Sequence, residues 1–172
     1  KNTIQDYVIF KPKTKEELKT AVNSWYIDRD EALNKYGHIS NWNTSLITDM
    51  SELFSEKKIF NDNISKWDVS NVTSMLGMFY KASSFNQPLD LWNVSLVTDM
   101  SGMFLEAESF NQPINSWNVS LVIDMSYMFD KALSFNQPLN SWDVSNVKDM
   151  SYMFHEAESF NQLINSWNVS SV

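Results

Sequence analysis

The apolar positions of this chain recur every 25 residues, marked by Trp42, Trp67, Trp92, Trp117, Trp142 and Trp167. Counting from Trp92, one unit places Val94, Val97, Met100, Met103, Phe104, Ala107, Phe110 and Ile114 before Trp117 opens the next. Polar residues fill most positions between them. A period of this length is the mark of a solenoid, in which each unit buries its apolar face against its neighbours. Met100, Met103, Phe104 and Ala107 stand at i, i+3, i+4 and i+7, the stripe of a short α-helix. The set returns as Met75, Met78, Phe79, Ala82; as Met125, Met128, Phe129, Ala132; and as Met150, Met153, Phe154, Ala157. The first unit departs from it, with Met50, Leu53, Phe54 and Lys57. Methionine in such a stripe, partnered by Phe and Ala, reads as core and not as an adaptable groove.

The residue before each Met is Asp49, Ser74, Asp99, Asp124 or Asp149, all preferred helix N-caps. A hydroxyl replaces a carboxylate well at a cap and poorly in a column of metal ligands. Ser74 therefore favours the cap over a calcium ladder, and no metal is expected. The rest of each unit, Phe110 to Trp117 for example, is too short and too polar for a second helix. It reads as a strand, paired coil to coil in a parallel sheet at about 4.8 Å. Pro88, Pro113 and Pro138 cannot donate to a ladder, so they are expected at the first strand residue or a bulge. Leu89, Ile114, Leu139 and Ile164 would face inward. The solvent-facing row, Gln87, Asp90, Gln112, Asn115, Gln137, Asn140, Gln162 and Asn165, is the candidate binding surface.

Two polar columns have structural explanations. Asn61, Asn86, Asn111, Asn136 and Asn161 are placed to satisfy backbone groups in turns. The residue after each Trp alternates between Asn and Asp, and Asx-x-Ser/Thr suits an Asx-turn with either side chain. The same chemistry writes glycosylation sequons at Asn43, Asn93, Asn118 and Asn168, with others at Asn63 and Asn71. Their use requires a eukaryotic, secreted source.

Residues 1–39 lie outside the period and read as an N-terminal cap, which stacked repeats need because an end coil exposes apolar surface and a strand edge. Thr14-Lys15-Glu16-Glu17 is a capping box, opening a helix through about Trp25 with Leu18, Ala21, Val22 and Trp25 on one face. A second helix is expected from about Asp28 to Tyr36, ended by Gly37. Tyr7 to Phe10 read as a short strand beside the first coil. Residues 40–172 are then about five repeats, stopping in mid-repeat at Val172, the equivalent of Val147. With no initiator Met at Lys1, a mature or trimmed fragment is expected.

Charge separates the two parts. Residues 1–39 carry seven Lys or Arg against six acids, and residues 40–172 carry six Lys against fifteen, so the repeats are −9 and the cap +1. A net-negative surface repels phosphate, which argues against nucleic acid and anionic membrane as partners. Membrane attachment would need an anchor outside this sequence, since no apolar run approaches the roughly 18 residues of a spanning helix. Cysteine is absent, which removes disulfides, zinc thiolates and thiol nucleophiles. His38 and His155 lack an evident catalytic partner, and three scattered glycines build no phosphate loop. Neither an enzyme nor a cofactor is expected.

The units Trp142-Asp-Val-Ser-Asn-Val-Lys-Asp-Met-Ser-Tyr-Met-Phe154 and Ala-x-x-Phe-Asn-Gln-Pro-Leu resemble the BspA-like leucine-rich repeat surface proteins, in the branch typical of mycoplasmal surface lipoproteins. The likeness covers about residues 39–172, with Lys13 to Lys19 and Tyr36 to Ser40 similar to the family's N-terminal flank. It implies a right-handed, leucine-rich-repeat-like α/β solenoid, one short parallel strand plus one short helix per coil, on a cell or particle surface. The expected function is non-enzymatic: a surface-displayed module for protein-protein contact or cell adhesion, binding a protein or glycan. The alternative is an assembly element of a surface layer, filament or virion, binding copies of itself. The near-identity of Asp90, Asn115, Asn140 and Asn165 leans towards assembly or multivalent weak binding.

Overall fold

In a computed structural model of the chain, which describes residues 8–172, regular secondary structure is confined to the N-terminal part. Helix α1 spans Lys15–Ile27 and α2 spans Arg29–Tyr36, followed by a single 3₁₀ turn at Ile39–Asn41. Thr14 Oγ1 accepts the Glu17 N–H at 3.2 Å, and the Glu17 carboxylate accepts the Lys13 N–H at 2.7 Å. Asp28 ends α1 and caps α2, its side chain accepting the Glu31 N–H. Gly37, at φ 72°, stops α2 in a conformation that a Cβ disfavours. Leu18, Ala21, Val22 and Trp25 are buried along one face of α1.

The remaining coils stack at the 25-residue period, but they contain neither the strand nor the helix expected of them. Among the described residues the only β-pairing is a file of isolated parallel bridges linking Asp49, Ser74, Asp99, Asp124 and Asp149. The leucine-rich-repeat-like α/β solenoid is therefore corrected to a stack of coils built from consecutive turns. The reason lies in where the backbone N–H groups point. Met100, Gly102, Phe104 and Glu106 donate forward to the carbonyls of Asp124, Ser126, Met128 and Asp130 at 2.8–3.0 Å. Met103, Leu105 and Ala107 turn back three residues, to Met100, Gly102 and Phe104, at 3.0–3.2 Å. Alternate groups thus leave the coil, and no i to i−4 ladder can form.

Left-handed residues enforce this alternation. Glu52, Gly77, Gly102, Tyr127 and Tyr152 have φ between 55° and 59°, and Glu56, Lys81, Glu106, Lys131 and Glu156 lie between 52° and 62°. A helix cannot pass through either file. The apolar stripe is nevertheless buried, because a turn closed by an i to i−3 bond brings residues three apart to the same side. Met100, Met103, Phe104, Ala107, Phe110 and Ile114 are all inaccessible to solvent.

The expected helix caps and strands are replaced by side-chain devices. Asp99 Oδ1 accepts the N–H of Ser101, two residues on, at 2.9 Å and its hydroxyl at 2.6 Å, an Asx-turn and not a cap over a helix. In the stretch read as a strand, Asn86, Asn111 and Asn136 use their Oδ1 to accept the N–H of Asn111, Asn136 and Asn161 in the following coil at 2.8–3.0 Å. The asparagine carboxamide stands where a main-chain carbonyl would stand in a sheet. The proline two residues later has no N–H to continue the pairing.

The core is a set of aromatic files. Phe54, Phe79, Phe104, Phe129 and Phe154 stack at 5.4–5.6 Å, and a second phenylalanine in each coil lies 4.0–4.2 Å from the first. Trp92, Trp117, Trp142 and Trp167 each donate the indole N–H to a carbonyl of the preceding coil, as Trp117 does to Leu89 at 2.9 Å and Trp142 to Ile114 at 3.0 Å, while Trp42 and Trp67 donate to Gly37 and Ile39 of the N-terminal part. Every buried side-chain nitrogen or oxygen among the described residues has a partner.

The helices close one end of the stack. Asp62 of the first coil takes a bidentate bond from Arg29 at 3.0 and 2.8 Å and the Trp25 indole N–H at 3.0 Å. Lys15 reaches Asp49 at 3.1 Å and the Ser51 hydroxyl. Lys57, the departure from the alanine file, lies over the Tyr26 ring at 5.6 Å; burial, then Lys19, pushes its ammonium below the ordinary lysine value. The expected strand at Tyr7 to Phe10 does not form over Val8 to Phe10, although Phe10 accepts the Asn43 N–H at 2.9 Å beside the first coil. Tyr7 lies outside the described residues.

Candidate functional site

The solvent-facing row divides into two groups. Gln112, Gln137 and Gln162 donate to the Oδ1 of Asn86, Asn111 and Asn136 at 3.0–3.1 Å, and Gln87 does so to Asn61 at 3.2 Å. All four are half-buried rungs of the asparagine ladder. Asn115 is likewise engaged, accepting the Ser141 N–H at 3.0 Å and donating to the Ser141 hydroxyl at 3.1 Å. Asp90, Asn140 and Asn165 are exposed. A shallow hollow of about 550 Å³ beside this row is lined by Asn115, Ser116, Trp117, Asn118, Val119, Ser141 and Asp143.

The sequon asparagines serve turns. Asn43, Asn93, Asn118 and Asn168 each accept the N–H of the serine two residues on at 3.1 Å, and Asn63 accepts that of Ser65 at 2.9 Å. Asn71 donates instead to the Ser45 carbonyl at 2.7 Å. Asp68 and Asp143 make the same turn; the Ser70 and Ser145 hydroxyls, then the amides, hold these carboxyls below the usual aspartate value.

Two adjacent files on the outer turn break the repetition. One reads Glu52, Gly77, Gly102, Tyr127, Tyr152, and the other Ser55, Tyr80, Leu105, Asp130, His155. Tyr127 and Tyr152 stack at 5.1 Å and are 41% and 57% exposed. His155 meets Asp130 at 3.0 Å and stands edge-on to Tyr152 at 5.3 Å. Beside them runs a file of alternating charge, Glu56, Lys81, Glu106, Lys131 and Glu156. The Tyr80 hydroxyl, then the Glu106 and Glu56 carboxylates, hold the Lys81 ammonium above the ordinary lysine value.

Sequence reasoning passed over this face because it sought the binding row on strands that do not form. The available signal was the variation between coils at these two files. Among the described residues no three His, Asp or Glu side chains gather as a metal ion requires, and no helix is long and apolar enough to cross a membrane.

A stack of turn-built coils, closed at one end by two helices and varied along one exposed face, defines a repeat protein. The family described as "Mycoplasma protein of unknown function, DUF285" matches residues 20–120 and again residues 90–172, and the chain belongs to that family. No curated protein and no solved structure matches it.

Proposed function

We propose that this chain is a non-enzymatic binding module, displayed outside the cell, which engages protein partners through its outer turn face in adhesion. One observation carries the reading: exposed tyrosines at Tyr127 and Tyr152 interrupt an otherwise repetitive surface. Stacked aromatics contribute large contact area at small entropic cost, which is why tyrosine concentrates at protein interfaces. The resemblance of the repeat units to BspA-like surface proteins supports surface display. Of the row Asp90, Asn115, Asn140 and Asn165, whose near-identity leans towards assembly, Asn115 is engaged with Ser141 of the next coil while the other three stay exposed, so assembly through that row is the second reading.

The test is retention of the purified chain on cultured-cell monolayers and immobilised matrix proteins. A Tyr127→Ser, Tyr152→Ser double variant should lose at least tenfold in retention, while Asn140→Ser, Asn165→Ser should bind as the parent does. Retention that ignores the tyrosines but falls with the asparagines would return the surface to the polar row. A chain that binds neither support and polymerises on its own would favour assembly.

A further inference from the structure

Resting on the turn face as the binding surface, we infer that the hollow over Gly77 and Gly102 receives one lysine or arginine side chain of a protein partner. The fold does not require these glycines. The same backbone position carries Glu52, Tyr127 and Tyr152 at φ 58°, 58° and 55°. A Cβ on Gly102 would meet Leu105 at an ordinary 3.7 Å, and one on Gly77 would meet the flexible Glu52 side chain at 3.4 Å and the Tyr80 Cβ at 3.9 Å. What the two missing side chains create is a hollow of about 290 Å³.

Its shape and polarity select the occupant. Leu76, Tyr80 and Leu105 form the walls, and Glu52 and Tyr127 stand at opposite ends. Two coils at roughly 4.8 Å each make the floor about 10 Å long, the reach of an extended basic side chain with part of its backbone. An aliphatic stem can lie along the leucines while its charged head remains polar. Among the side chains lining the hollow the charged one is the carboxylate of Glu52, and the repeats are net −9. Lys81, on the flank, is held over the Tyr80 ring at 5.0 Å between Glu56 and Glu106, so it leaves the local field acidic. An anion would be repelled here and a purely apolar group would leave Glu52 unmatched, whereas a basic side chain sets its charged head at the Glu52 carboxylate and runs its stem towards the Tyr127 ring.

The Gly77 and Gly102 amides, fixed to the Ser101 and Ser126 carbonyls at 2.8 Å, are built-in reporters. Amide NMR spectra of the full chain are titrated with N-acetyl-arginine amide and, in parallel, N-acetyl-norleucine amide. The arginine derivative should shift both glycine resonances saturably and bind at least fivefold tighter than the norleucine derivative. Glu52→Gln should erase that preference. Gly102→Tyr, which installs the residue found there in the next two coils, should abolish the Gly77 response while leaving the rest of the spectrum in place. Equal response to both probes, or an unchanged Gly77 response in Gly102→Tyr, overturns the inference. In the cell-retention assay the two proposals separate: if Tyr127 and Tyr152 matter and Gly102→Tyr does not, the hollow is unused and the turn face still binds. If the tyrosines are dispensable, the functional reading itself fails.

Discussion

Gly102→Ala distinguishes the two conformations that the repeat sequence allows, because they require opposite signs. In an α-helix interior, alanine in place of glycine stabilises by about 1 kcal/mol. In the observed coil Gly102 has φ 59°, where an L-residue costs about 1–2 kcal/mol. Alanine also narrows the unfolded ensemble, returning about 0.4–1 kcal/mol. The nearest atom to the new Cβ is Leu105 Cδ2 at 3.7 Å, so no clash is added. The net expectation is a loss of about 0.5–1 kcal/mol, some 1.5–2 kcal/mol away from the helical case. Equilibrium urea unfolding followed by tryptophan fluorescence reads this as a fall in midpoint at constant slope. In a chain of 172 residues the same change is about 1–4 °C in Tm. A midpoint that rises in Gly102→Ala would refute the left-handed turn and restore the helix.

Phe104→Ala removes a fully buried ring held between Phe79 and Phe129 at 5.6 Å on either side, and should cost about 3–5 kcal/mol in the same unfolding assay. Asn111→Ala strips the acceptor from the Asn136 N–H and leaves the Gln137 carboxamide only the Asn111 main-chain carbonyl, and should cost about 1–3 kcal/mol, whereas Asn140→Ala, on the exposed row, should stay within about 0.5 kcal/mol. The Asp68 and Asp143 carboxyls lie below their unfolded value in the folded state, so their contribution is complete above about pH 5 and is lost as pH falls through the aspartate range. Asp68→Asn with Asp143→Asn, the residue that equivalent coils already carry, should leave the neutral-pH midpoint unchanged and flatten its decline on acidification.

The apolar file positions were legible because burial depends on spacing alone. Met100, Met103 and Phe104 point inward whether the chain closes i to i−3 or i to i−4 bonds, and the stripe does not distinguish the two. The deciding residues are also in the sequence. Tyr127 and Tyr152 share a position with Gly77 and Gly102, and glycine there is a conformational signal that the tyrosines conceal. Asp99 was read as a cap because Asx-turns and N-caps use the same short side-chain acceptor, bonding the N–H two or three residues on. Asn86 was correctly assigned to backbone satisfaction, but its neighbour Gln87 was placed on the solvent row, since alternation in a strand would have exposed it.

By itself the sequence determined the period, the residues that form the core, the capped end with its two helices, and the acidic balance of the repeats. Each follows from composition and spacing, which act locally or through burial. The tertiary structure alone decided the path of the backbone within a coil. From Met100 to Glu106, and at the equivalent positions of the other coils, every other N–H finds its acceptor in the next coil, 24 residues away, and that bond competes successfully with a helix only once the neighbour is in place. The same stacking decided which polar side chains are consumed in holding coils together and which remain exposed on the turn face.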